Sequence, residues 1–163
     1  MAYRISGLDP APFVALADLD EDALAERGVR RVVADANHGF PCRVSLEDAR
    51  AGETLLLLNH ASHDVATPYR STFAIYVREG AVRAATCIDA SPPVFAGRPL
   101  ALRGYDREGN LRDARLALPQ DGCEHADGPI RALFANPDIA YIHAHNAAHG
   151  CFAAAIERHG EFA

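Results

Sequence analysis

The chain contains no lysine, and all 16 of its basic residues are arginine. That absence excludes a Walker-type phosphate loop, whose lysine reaches the nucleotide phosphates, and it excludes Schiff-base chemistry on a lysine amine. Arginine without lysine, beside abundant alanine, reads as the imprint of a GC-rich genome and says little about function. No apolar run approaches the roughly 20 residues of a membrane helix, and the opening MAYRISGLDP lacks the basic-then-apolar pattern of a signal peptide. The expectation is a soluble, cytoplasmic protein with no membrane partner. There is no basic stripe either. With 16 basic and 22 acidic residues the formal charge is -6, so counterion release has nothing to work through and nucleic acid is not an expected partner.

The four cysteines, Cys42, Cys87, Cys123 and Cys151, form no CxxC pair, so neither a zinc ribbon nor a thioredoxin-like motif is supported. In a reducing cytoplasm they are free thiols, and most free thiols act as small buried hydrophobes. Internal repeats, low-complexity tracts and linker-like shifts in composition are all missing. A chain of 163 residues that is 49% hydrophobic and 23% charged fits one domain, residues 1–163, with a core that needs no staples. On base rates alone a homodimer is a possible assembly.

What is present predicts an α+β domain, mainly antiparallel sheet with a few short helices. Tyr3 to Leu8 reads as a first strand, Pro12 to Leu19 as loop with a helical turn, and Asp20 to Arg27 as a helix stopped by Gly28. Val29 to Ala34 has β-branched strand composition, Ser45 with Asp48 suits a capped helical turn, and Glu53 to Leu58 is the most hydrophobic strand. Asn59 to Arg70 reads as a polar, histidine-bearing loop, followed by a strand from Ser71 to Arg78. Val82 to Ile88 is a further strand, and Asp89 to Pro99 is too rich in proline to be regular. A hairpin joins Leu100–Tyr105 to Leu111–Leu118, Pro129 to Phe134 is helical, and Ile139–His145 with Cys151–Arg158 closes the chain as a second hairpin.

In the strand before that last turn, alternation points Tyr141, His143 and His145 to one face. Paired imidazoles at this spacing are how β-barrel metal enzymes present two nitrogen ligands, with His60 or His63 available as a third. A cupin-type site also needs a glutamate shortly after the second histidine, where this chain has Asn146, Ala147, Ala148 and His149. Cys42, between Pro41 and Arg43, is a candidate nucleophile if the turn exposes it, since the neighbouring guanidinium favours a thiolate. Arg43 and Arg70 both flank predicted strands and suit a carboxylate or phosphate; each has a nearby acid, Asp48 or Asp64, as its alternative partner.

Three stretches carry a likeness: Pro41-Cys42-Arg43-Val44-Ser45-Leu46-Glu47-Asp48-Ala49 running into Gly52-Glu53; Pro68-Tyr69-Arg70-Ser71 with Tyr76-Val77-Arg78-Glu79-Gly80; and Tyr141-Ile142-His143-Ala144-His145-Asn146 with Gly150-Cys151. With the opening Arg4-Ile5-Ser6-Gly7-Leu8, the chain resembles, over nearly its whole length, the bacterial family catalogued as domain of unknown function 1203. Between Ser71 and Tyr76 it departs from that pattern, with Thr-Phe-Ala-Ile in place of a glycine-proline pair. The resemblance implies no activity, cofactor or catalytic residue. The residues themselves favour a domain that binds a small anionic molecule, with Arg43, Arg70 and Asn146 as ligand-binding groups and Cys42, His143 and His145 as candidate catalytic groups. A metal-dependent enzyme built on His143 and His145, and a structural or partner-binding protein without a small-molecule site, are the alternatives.

Overall fold

Residues 1–119 and 124–160 are described by the computed structural model, and Cys123 lies outside them. The described residues form nine strands and three α-helices in α+β order. These are β1 (Ala2–Ser6), α1 (Ala11–Ala17), α2 (Glu21–Glu26), β2 (Arg30–Val33), β3 (Thr54–His63), β4 (Ser71–Arg78) and β5 (Thr86–Ile88). A 3-10 turn at Pro93–Phe95 precedes β6 (Leu100–Tyr105), β7 (Leu111–Ala117), α3 (Asp127–Phe134), β8 (Tyr141–Asn146) and β9 (Phe152–His159). No helix among the described residues is long and apolar enough to cross a membrane.

The strands divide into two antiparallel sheets. The larger has the order β5-β1-β9-β8-β6-β7, and the smaller runs β2-β3-β4. Period-two alternation decides what each face of the larger sheet meets. On β8, Ile142 and Ala144 stand opposite Gly104 and Leu102 of β6, and this face forms one apolar cluster with Ile130, Leu133 and Phe134 of α3. Each fully buried Leu or Ile there contributes about 1.5–3 kcal/mol. The other face carries Tyr141, His143 and His145, opposite Tyr105, Arg103 and Ala101. It meets the smaller sheet, where His63 of β3 lies against His143 and Phe73 of β4 against His145.

The smaller sheet is covered by the two N-terminal helices. Phe13 of α1 packs with Ile75 and Val77 of β4, and Leu24 of α2 with Leu56 of β3. The helix at Glu21–Glu26 starts as its sequence indicates, with the Asp20 side chain accepting the Ala23 N–H at 2.8 Å.

Four elements differ from the sequence expectation. Ala11–Ala17 is a true helix rather than loop with a single turn. The expected loop from Asn59 is strand as far as His63, because Asn59, His60, Ala61 and His63 pair with Ala74, Phe73, Thr72 and Ser71; partner strands override weak local propensity. A register shift between Ala61 and His63 then re-aims the last residues of β3. The strand expected from Val82 begins only at Thr86. Ser45 and Asp48 do not form a capped helical turn, since Leu46 takes a left-handed φ of 53° and breaks the helical path.

That broken path matters because residues 41–48 thread between the two sheets. The Arg43 N–H donates to the Tyr76 carbonyl of β4 at 2.9 Å, and the Leu8 N–H donates to the Arg43 carbonyl at 2.8 Å. The Ala85 N–H donates to Val44 and the Val94 N–H to Leu46. Gly7 is required by the same packing, since a Cβ there would overlap the Val44 carbonyl oxygen. The segment is therefore held by backbone bonds from several distant parts of the chain, and the Arg43 side chain has a fixed origin.

Candidate functional site

A cleft of about 610 Å³ opens where the 41–48 segment, the edge of β4 and the β8–β9 turn meet. Its walls are largely apolar, with Leu57, Phe73, Ile75, Tyr76 and Pro99 among them, and its polar groups include Arg43, Arg98, Asn146 and Cys151. Mostly apolar walls with a few convergent polar groups, in this size range, are the usual build of a small-molecule site.

Arg43 is the unusual member. Its side chain is only 1% exposed. Nη2 donates to the Cys151 Sγ at 3.3 Å, while Nε and Nη1 have no acceptor among the described residues. Burial pushes this guanidinium below its ordinary pKa; Cys151 opposes that shift, and Arg98 adds to it. No carboxylate is among the groups that act on it most. A guanidinium carries one N–H on Nε and two on each terminal nitrogen, so most of the hydrogen-bonding capacity of Arg43 is unused.

Arg98 is the opposite case. Its Nη2 donates to Asp48 Oδ1 at 2.7 Å and its Nη1 to the Val94 carbonyl at 2.7 Å. Asp48 also takes the Gly39 N–H and lies 3.2 Å from His38 Nδ1. Asp48, the acid the sequence offers as an alternative partner for Arg43, is thus committed to other groups. Across the β8–β9 turn, the Asn146 Nδ2 donates to the same Cys151 sulfur at 3.3 Å.

Behind Phe73 stand the histidines of β8. His145 is fully buried, and its Nδ1 lies 3.0 Å from the Gly150 carbonyl. That contact assigns the proton to Nδ1 and leaves Nε2 as an acceptor without a donor. Burial, chiefly, lowers its pKa to about 4, and the positive charges of Arg103 and Arg43 add to the effect. His143, 7% exposed, is lowered to about 3 by burial and then by His63 and His145. His63 is bonded at both nitrogens, donating from Nδ1 to the Tyr69 carbonyl and accepting from the Tyr141 hydroxyl at 2.8 Å. Among the described residues, no group of three or more His, Cys, Asp or Glu side chains is arranged to hold a metal ion.

Of the residues singled out in the sequence, Arg43 and Asn146 line the cleft. His145 lies directly behind it, its ring centroid 4.9 Å from that of Phe73. His143 sits deeper between the sheets, against His63, Tyr105 and Phe152. Two residues are placed elsewhere. Cys42 is fully buried rather than exposed, packed in the cluster of Phe13, Val44 and Ile75, with its sulfur accepting the Arg78 N–H. Arg70 lies on the β3–β4 turn, 61% exposed, and pairs with Asp64 at 2.7 Å. The sequence reading did not single out Arg98, Phe73 or Cys151 as site residues. For Cys151 a signal existed, because the hairpin closing the chain brings it back across from Asn146.

No curated protein and no solved structure matches the chain. The family model described as protein of unknown function (DUF1203) matches residues 39–158, a span that contains both the 41–48 segment and the β8–β9 hairpin. That match covers well over half of the sequence, and the chain belongs to the DUF1203 family.

Proposed function

We propose that this protein binds a small organic anion, a carboxylate or phosphate with an apolar body, in the cleft beside Arg43. One observation carries the reading: a guanidinium buried to 1% exposure, with Nε and Nη1 lacking acceptors and no carboxylate in salt-bridge range among the described residues. Buried donors are almost always paired, and a buried charge without a partner costs several kcal/mol. A fold that tolerates this arrangement gains most when an anion supplies both the charge and the acceptors. The surrounding surface fits such a ligand. Asn146 adds a polar side chain, and Phe73, Tyr76 and Leu57 offer apolar walls to the rest of the molecule. In a chain of net charge -6, the positive charge at the cleft is that of Arg43, since Arg98 is paired with Asp48.

Thermal unfolding in the presence of phosphate, acetate, benzoate and phenylacetate tests the reading. A ligand at 100 times its Kd adds about 2.7 kcal/mol of stability, which for a domain of this size raises Tm by roughly 5–10 °C. At least one anion should do so, while benzyl alcohol, which has the apolar body without the charge, should not. If every anion leaves Tm unchanged, or if benzyl alcohol acts as strongly as benzoate, Arg43 is not an anion receptor.

A further inference from the structure

Resting on the anion-cleft reading and deepening it, we infer that Cys151 is a nucleophile and that its substrates are small carboxylic acids bearing an electrophilic carbon close to the carboxylate. Cys151 lies at the end of the β8–β9 turn, half-buried, and lines the cleft. Two side-chain donors converge on its sulfur, Arg43 Nη2 and Asn146 Nδ2, each at 3.3 Å. Two N–H groups aimed at one sulfur, one of them cationic, stabilise the negative charge that the sulfur takes on as it reacts. The other described cysteines lack this combination. Cys42 is sealed in the core and meets a backbone N–H, and Cys87 lies on β5, where burial pushes its thiol pKa up.

The second observation is Arg43 itself. The guanidinium that donates to the sulfur has two further nitrogens without acceptors. Each of those nitrogens forms a fork with Nη2, the atom that donates to the sulfur, so an acid bound at either fork shares that corner of the guanidinium with Sγ and brings a carbon next to its carboxylate toward the sulfur. The thiol proton passes to water at the open mouth of the cleft. The sulfur lone pair then forms an S–C bond as the bond from that carbon to its leaving group breaks, and the leaving group departs with the bonding pair. No oxidant, reductant or further co-reactant enters the step.

Iodoacetate and iodoacetamide, which differ in charge and share the same displaceable iodide, separate the alternatives. Alkylation of the full chain near neutral pH is followed by intact mass and assigned by peptide mapping, with glutathione as the reference thiol. Relative to glutathione, Cys151 should favour iodoacetate over iodoacetamide by about tenfold or more, as expected for a charged reagent drawn to an opposite charge. Phenylacetate should slow the labelling, Cys151→Ser should remove the labelled peptide, and Arg43→Met should return the acid-to-amide ratio to that of glutathione. If Arg43→Met does not fold by circular dichroism, the wild-type ratio and the phenylacetate protection decide. Should Cys151 react no faster than glutathione with either reagent while phenylacetate still raises Tm, the nucleophile is refuted and the anion cleft stands. Should the labelling show no preference for the acid and phenylacetate leave Tm unchanged, both fall.

Discussion

Replacing Arg43 with methionine should stabilise the ligand-free protein while abolishing its response to anions. Methionine fills most of the volume of the arginine stem and carries no donor, so it removes the unpaired Nε and Nη1 from the interior. Each buried donor left without an acceptor costs about 1–3 kcal/mol, and the single bond lost, from Nη2 to the Cys151 sulfur, returns only about 0.5–1.5 kcal/mol. Exchanging buried charged groups for packed apolar ones is commonly neutral or stabilising by about 1–4 kcal/mol. We therefore expect the variant to be about 1–3 kcal/mol more stable than wild type, a rise of roughly 2–12 °C in Tm for a domain of this size. Urea and thermal unfolding without ligand, then with phenylacetate, give the test. Wild type should gain stability with the anion, and the variant should start higher and not respond. Such a trade between stability and binding is typical of a functional site. Loss of more than about 1 kcal/mol in the ligand-free variant would show that the guanidinium is satisfied within the fold, and the reasoning would fail.

Three further outcomes follow from the same structure. His143 and His145 are held neutral, with pKa values lowered from 6.5 to about 3 and about 4, in each case chiefly by burial. Their contribution to stability is complete above about pH 6.5 and is lost as pH falls toward those values, because the unfolded chain takes up protons that the folded one refuses. The urea midpoint should drop between pH 7 and pH 5, and a His143→Gln/His145→Gln double variant should drop less; equal losses in the two proteins would contradict this. Gly7→Ala should destabilise by about 1–3 kcal/mol and weaken anion binding, because its Cβ overlaps the Val44 carbonyl next to Arg43; calorimetric titration beside urea unfolding reads both effects. Ile142→Ala should cost about 2–5 kcal/mol without altering anion affinity, since Ile142 packs in the cluster shared with α3, on the face of β8 turned away from the histidines.

Local signals made much of the fold legible. The capped helix after Asp20, the hairpin through Gly109 and the closing hairpin through Gly150 each depend on residues near in sequence, and each forms as expected. The second half of β3 was not legible, because Asn59, His60 and Ala61 become strand only through their ladder with β4. The site divides along the same line. Alternation alone put His143 and His145 on one face, and the structure gives them that face. Which side of the 41–48 segment would meet a cleft depends on backbone bonds from Leu8, Tyr76, Ala85 and Val94, all remote in sequence. Cys42 and Arg43 are neighbours whose side chains go to different surroundings, so turning Arg43 to the cleft wall meant packing Cys42 among apolar groups. Arg70 found a local acid in Asp64, whereas the acid close to Arg43 in sequence, Asp48, is taken by Arg98.

The central claim is that the Arg43 guanidinium receives an anion, and a crystal structure with 4-bromobenzoate tests it most directly. The account predicts the carboxylate within hydrogen-bonding distance of Arg43, with the anomalous signal of the bromine between the apolar walls that include Phe73 and Leu57. A cleft empty at saturating ligand, or a carboxylate bound elsewhere with Arg43 bonded only to protein groups, would contradict it.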